Sequence, residues 1–191
     1  MANSNIEIKA LGEANLADNN NGDITPLKMR ETFGAMLNHL GGNVYLVNSS
    51  TTPQTANANT PIILENDGAG ALSVTQYRPH YLDASVFLAG NKIHTDDLIN
   101  STIVSMRLEC EFVTGANTNA KLTAVFRDSL GVEAFRLQFE EVYYKNAATH
   151  KLTSNFQFFM DSNIENGTME IVYESDTNST AILKSIMADI R

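Results

Sequence analysis

One cysteine, Cys110, stands alone in 191 residues, so no disulfide can form within the chain and a secreted scaffold stapled by disulfides is not expected. No run approaches the roughly 20 apolar residues that carry a helix across a bilayer, and membrane insertion is not expected. The first residues, Met1-Ala2-Asn3-Ser4-Asn5, have neither a basic start nor an apolar core. The chain is therefore expected to be made in the cytoplasm and held there until it assembles. Positive charge is scarce: 13 Lys and Arg stand against 22 Asp and Glu, a net charge of −9. A phosphate backbone is gripped by clustered cations, which makes nucleic acid an unexpected partner. Charge of either sign reaches only 18% of the chain, below the usual ~25%, and Asn, Thr and Ser fill the gap. Such a surface is hydrated but electrostatically quiet.

Arrangements that do chemistry are also missing. His39, His80, His94 and His150 lie in unrelated segments, none paired at a ligand spacing such as H-x-x-x-H. His94 with Asp96 and Asp97 is the one local cluster of metal-ligating types, and in a polar loop it reads as solvated surface; no metal and no cofactor is expected. There is no G-x-S-x-G elbow, and Cys110 lies mid-strand on the presumed core face, where a thiol is inert. Glu109, Glu111, Glu133, Glu140 and Glu141 lie on or near strands and are read as outward, solubilising acids rather than a glycosidase pair. Gly68-Ala69-Gly70 is a turn, too short for a phosphate loop. Four Asn-x-Ser/Thr matches fit the abundance of those residues. The expectation is a protein that is not an enzyme.

What is present is a change of hydrophobic rhythm at Gly41-Gly42. Residues 1–23 are polar and end in Asp18-Asn19-Asn20-Asn21-Gly22-Asp23, too poor in apolar side chains to offset ordering entropy, so an extended arm is expected. Residues 24–42 form a second unit. Thr25 can cap a helix whose first position suits Pro26, the helix runs to about Leu40, and Gly41 or Gly42 closes it. Met29, Phe33, Met36 and Leu40 follow at steps of four, three and four, the spacing of a coiled-coil seam. A helix this short needs packing, either across its own domain or against copies of itself around an axis.

Residues 43–191 form the third unit, in which the period changes to two. Val44-Tyr45-Leu46-Val47 opens it, followed by a loop from Asn48 to Pro61, then Ile62-Ile63-Leu64 and Leu72 to Tyr77. From Ser105 to Phe112 the alternation is clearest, with Met106, Leu108, Cys110 and Phe112 on one side. It returns at Leu122-Ala124-Phe126, Phe135-Leu137-Phe139 and Met169-Ile171-Tyr173. Turn signals at Asp128 to Gly131 and at Asn163 to Gly167 separate these strands, and the sum is mainly β: an antiparallel jelly-roll sandwich preceded by an extended N-terminal arm and one short α-helix. Two segments carry apolar residues on both faces, Phe156 to Met160 and Ala181 to Ile190, and a loop or a neighbouring subunit must cover the second face. The pair Tyr143-Tyr144 reads as one ring in the core and one at the rim, with stacking on sugar rings as the alternative.

The polar arm, the segment Ile24-Thr25-Pro26-Leu27-Lys28-Met29-Arg30 opening a short helix, and the β module that follows resemble accessory virion proteins of tailed bacteriophages: head fibres, capsid decoration proteins, tail fibres and knobs. In that group the β module is often similar to the trimers of the tumour-necrosis-factor and complement C1q type. The resemblance implies a homotrimer in the virion, bound to other virion proteins of capsid, neck or tail, with a host surface glycan or receptor as a further contact. It places Leu183 to Ile190 near a three-fold axis. On this reading the trimer interface holds Met29, Phe33, Met36, Leu40, Phe158, Phe159, Leu183 and Met187, while Ile6, Ile8, Leu11 and Leu16 of the arm anchor the particle. Loops Asn48 to Pro61, Gln76 to Asn91 and Lys145 to Lys151 are left to touch the outside. The competing reading is a carbohydrate- or receptor-binding β-sandwich module whose helix only packs on the sandwich.

Overall fold

A computed structural model gives the fold and describes residues 28–29, 32–33, 42–47, 52–65, 72–74, 78–79, 82, 87, 92–98 and 100–191. Among the described residues seven strands carry the frame: β1 (Gly42–Val47), β6 (Ile103–Thr114), β7 (Thr118–Arg127), β8 (Glu133–Tyr144), β9 (Ala148–Phe159), β10 (Thr168–Ser175) and β11 (Ser179–Ile190). Four shorter ones, β2 (Gln54–Ala56), β3 (Ile62–Ile63), β4 (Leu72–Val74) and β5 (Ile93–His94), trim the edges. Sheet A runs β4-β1-β11-β6-β9 with β2 added to β11; sheet B runs β3-β10-β7-β8 with β5 added to β10. Every pairing is antiparallel, and sequence neighbours β6 and β7 lie in different sheets. The fold is the mainly β jelly-roll sandwich that the rhythm implies. Residues 1–23 lie outside the described residues. Of the expected helix, Lys28, Met29, Thr32 and Phe33 are helical, and the Thr32 hydroxyl donates to the Lys28 carbonyl at 3.0 Å.

The alternation of β6 is unbroken. Val104, Met106, Leu108, Cys110, Phe112 and Thr114 are buried while the residues between them face outward. Sheet B fills the same layer from the other side: Phe112 stacks on Tyr173 of β10 with centroids 4.6 Å apart. At the β8–β9 side the two sheets are closed by aromatic rings, with Phe126 against Phe135 at 4.3 Å and Phe158 at 4.9 Å, and Phe139 on Phe156 at 4.3 Å. The buried rings of this set, Phe126, Phe156 and Phe158, each contribute about 1.5–3 kcal/mol of apolar transfer energy, while Phe139 is partly buried and Phe135 is exposed at the edge. Cys110 is in this core, and burial, with Glu109 adding, pushes its thiol up to about 12.

Three sequence expectations change. Residues Gln54 to Ala56, expected in a loop, form β2 along β11. The expected loop Lys145 to Lys151 is mostly strand, because β9 begins at Ala148 and pairs without interruption to Phe159. Glu140 is not an outward acid. Phe139 is an extra residue in β8, so Glu140 stands opposite the core residue Leu122 and accepts a hydrogen bond at 2.8 Å from the buried Ser154 hydroxyl. The expected loop Gln76 to Asn91 falls mainly outside the described residues.

Candidate interaction surfaces

Sheet A presents a three-by-three grid of outward side chains from β11, β6 and β9. Register sets the rows: Asp189, Ser105 and Gln157; then Met187, Arg107 and Asn155; Arg191, Ile103 and Phe159 complete it at the end. Ser105 is the smallest member and sits in the middle, so the long side chains around it enclose a groove of about 530 Å³. Gln157 donates to the Ser105 hydroxyl at 2.9 Å, Arg107 to Glu109 at 3.0 Å, and Arg191 to Asp189 at 2.8 Å. The charges of the grid are therefore matched within the chain. At the rim the cross-strand pair Ile103 and Phe159 is apolar and open, 44% and 54% exposed.

The residues assigned to a trimer interface divide. Phe159 is on the outside of sheet A, Met187 lines the groove, and helical Met29 and Phe33 are exposed while Thr32 beside them is buried. Phe158 and Leu183 are corrections: both point between the sheets, where Phe158 packs edge-on to Phe126 and Leu183 lies opposite Cys110, so their surface is already covered by their own chain. Met36 and Leu40, and the anchoring residues Ile6, Ile8, Leu11 and Leu16, lie outside the described residues. Ile103 was missed, although one more step of the β6 alternation reaches it. Leu130, at the β7–β8 turn, is 85% exposed; a lone apolar residue in a turn gives no periodic signal.

The outer face of sheet B is polar and ordered. Register places Tyr143 beside Asn119, Glu141 beside Lys121, and Gln138 beside Thr123. Asn119 and Gln138 donate from their amides to the two oxygens of Glu141, at 2.8 and 3.0 Å. Those two bonds, Asn119 first, hold the Glu141 carboxyl below its ordinary value. Tyr143 is 60% exposed, and its hydroxyl donates to the Asn117 side chain at 2.8 Å. Asn117 has a left-handed backbone, with φ 57°, and its N–H donates to the Lys145 carbonyl at 3.2 Å, which ties the β6–β7 and β8–β9 turns together. Tyr144 turns the other way, half-buried and stacked on His150 at 4.0 Å. Further along the same face Glu170, 3% exposed, is bridged by Lys92 and Arg127, each at 3.0 Å.

The acids and histidines do not gather. Glu109 and Glu111 are on the outside of sheet A, Glu133 and Glu141 on the outside of sheet B, and Glu140 between the sheets. His94 reaches Asp96 at 3.5 Å, but among the described residues no three His, Cys, Asp or Glu side chains converge as a metal site.

No protein-family model matches the chain, and no curated protein sequence does. Solved structures do resemble it. The infectious bursal disease virus VP2 subviral particle aligns with a TM-score of 0.51 at 8% identity, covering 79% of this chain and 33% of that one. Murine APRIL aligns over 80% of this chain and 99% of its own, at 12% identity and a TM-score of 0.45. The CBM22-1 xylan-binding domain of Paenibacillus barcinonensis Xyn10C covers 78% of this chain and 95% of its own at 13% identity, with a TM-score of 0.38. This chain thus spans about a third of the length of the viral protein, and the likeness is one of fold: a jelly-roll β-sandwich.

Proposed function

We propose that this chain is a non-enzymatic structural component of a virus particle, a homotrimeric bacteriophage fibre, decoration or knob protein attached through its arm and helix. The observation that carries the reading is the outer face of sheet A. Its inward side chains are buried, yet its outer side leaves the pair Ile103 and Phe159 open, with Met187 at the opposite corner of the grid and Met29 and Phe33 of the helix also exposed. Exposed apolar pairs framed by polar residues mark contact surfaces. The fold shared with a protein that forms a subviral particle supports a role in assembly. The dispersed acids support binding rather than catalysis. Three copies multiply a weak anchoring contact by raising its effective concentration.

Light scattering on the purified chain tests this. The expected mass is three times the 20.9 kDa protomer, and Phe159→Asp lowers it toward one. A stable monomer at high concentration overturns the reading. The second reading, a carbohydrate- or receptor-binding module, is favoured by the exposed, pinned ring of Tyr143 on the opposite sheet.

A further inference from the structure

We propose that the Tyr143 end of sheet B is a saccharide subsite, in which the ring of Tyr143 stacks on a sugar and Asn119, Glu141 and Gln138 bond its hydroxyls. Sugars offer two kinds of surface: a patch of C–H groups on the ring face, and hydroxyls around the rim that both donate and accept. An exposed aromatic ring next to planar amide and carboxylate groups matches both. Tyr143 supplies the ring, and its hydroxyl bond to Asn117 favours one ring orientation, which lowers in part the ordering cost of binding.

The hydroxyl-bonding row is equally fixed. Glu141 accepts from both amides, so the side chains of Asn119 and Gln138 are held in place with their carbonyl oxygens and second N–H atoms still available. Asn119 is anchored from below as well, because its backbone N–H donates to the Asp176 carboxylate at 2.8 Å and its carbonyl accepts from the Asp176 N–H at 3.1 Å. Exposed networks of this kind add little to stability. Their use is to present donors and acceptors in a set geometry.

Charge selects among sugars. Glu141 and Glu174 flank the cation Lys121 across the three strands, and the hydrogen bonds to Glu141 keep it ionised. An anionic sugar meets net negative charge here, so the occupant is a neutral, hydroxyl-rich chain. This inference rests on the proposed function only in taking sheet B as the face turned away from sister copies. The mass measurement and the sugar measurement succeed or fail separately.

The test is a titration of the full chain, isotope-labelled, with neutral hexasaccharides of glucose, mannose, galactose and xylose, and with a heparin hexasaccharide, followed by amide NMR shifts. Saturable shifts at residues 117–121 and 138–143 with one or more neutral chains, and none there with heparin, are expected. Tyr143→Ala weakens that binding at least tenfold and Glu141→Gln several-fold. Tyr143→Phe, which keeps the ring, retains most of it, and Leu130→Ser at the far end of the sheet leaves it unchanged. Mutants with native-like spectra away from the site separate lost binding from lost folding. The proposal is overturned if no neutral chain binds, if only heparin binds, or if Tyr143→Ala binds as tightly as the parent.

Discussion

Leu183 and Ile186 point into the same interior although they are an odd number of residues apart: Leu183 stands opposite Cys110, and Ile186 opposite Leu108. Two steps along β6 are therefore matched by three along β11, and Lys184 is the extra residue. The bulge shifts the phase of the strand, so Ala181 and Leu183 before it and Ile186, Ala188 and Ile190 after it all reach the core.

Deleting Lys184 alone leaves Leu183 two positions from Ile186, opposite Cys110 and Leu108 as before, so the whole set stays inward and little stability should be lost. Deleting Lys184 together with Ser185 makes Leu183 and Ile186 adjacent, and one half of the set must turn outward. With Ile186 and Ile190 displaced, the cost is about 3–6 kcal/mol at ~1.5–3 kcal/mol for each buried side chain, a large share of a domain's stability. Urea unfolding of the two variants checks this. Equal midpoints mean that the phase of β11 is not what holds these residues in the core.

The same bulge explains what the sequence could and could not convey. In β6 nothing interrupts the alternation, and its inward residues were legible from pattern alone. In β11 much of the apolar content that looks two-faced belongs to a single face whose phase has shifted, which made Leu183 look like surface. In β8 the extra residue Phe139 hid the inward turn of Glu140 in the same way. Phe158 and Phe159 are adjacent, so one of them had to face out, but period alone does not say which; packing of Phe158 on Phe126 decides it. The sheet B site was half legible. Tyr143 and Tyr144 were visible as a rim and core pair, whereas Asn119 comes to Glu141 only through strand pairing across the sheet, and Gln138, on the same strand as Glu141, shares its face only because of the extra residue Phe139.

Glu170 gives stability a pH dependence. Burial works to raise its carboxyl, and hydrogen bonds from Lys92 and Arg127 outweigh that and hold it below the ordinary carboxylate range. A group depressed in the folded state stabilises above its unfolded value, about 4.3, and loses that contribution as pH falls through the folded one. Glu170→Gln is expected to cost about 1.5–3 kcal/mol near pH 7, the range for hydrogen bonds to charged groups. The gap to the parent should close in acid, below about pH 4. Paired denaturation curves across pH measure it, and a gap that stays constant shows that ionisation of Glu170 is not its source.

Gly167 is fixed by space rather than by an unusual backbone angle. Its N–H donates to the buried Thr95 hydroxyl at 2.9 Å, and a Cβ there would collide with the backbone carbonyl of Arg127. Gly167→Ala is expected to destabilise by about 1–3 kcal/mol, the usual cost of overpacking. Gly115→Ala is the control, because its Cβ meets only ordinary contacts at 3.7 and 3.8 Å. Thermal melting should separate the two, and equal midpoints would count against the turn geometry at Arg127.

Tyr144 is expected to behave in the opposite sense. Its hydroxyl is buried without a hydrogen-bond partner among the described residues, while its ring stacks on His150 and lies 6.5 Å from Phe112. Burial, with Tyr173 next, pushes the phenol up to about 12, so the group stays neutral across the working range. Tyr144→Phe keeps both ring contacts and removes only the orphaned polar atom, whose desolvation costs about 1–3 kcal/mol. The variant should therefore be at least as stable as the parent, with the core aromatic signal in near-ultraviolet circular dichroism retained. A clear loss of stability means that this hydroxyl is satisfied after all, by an ordered water.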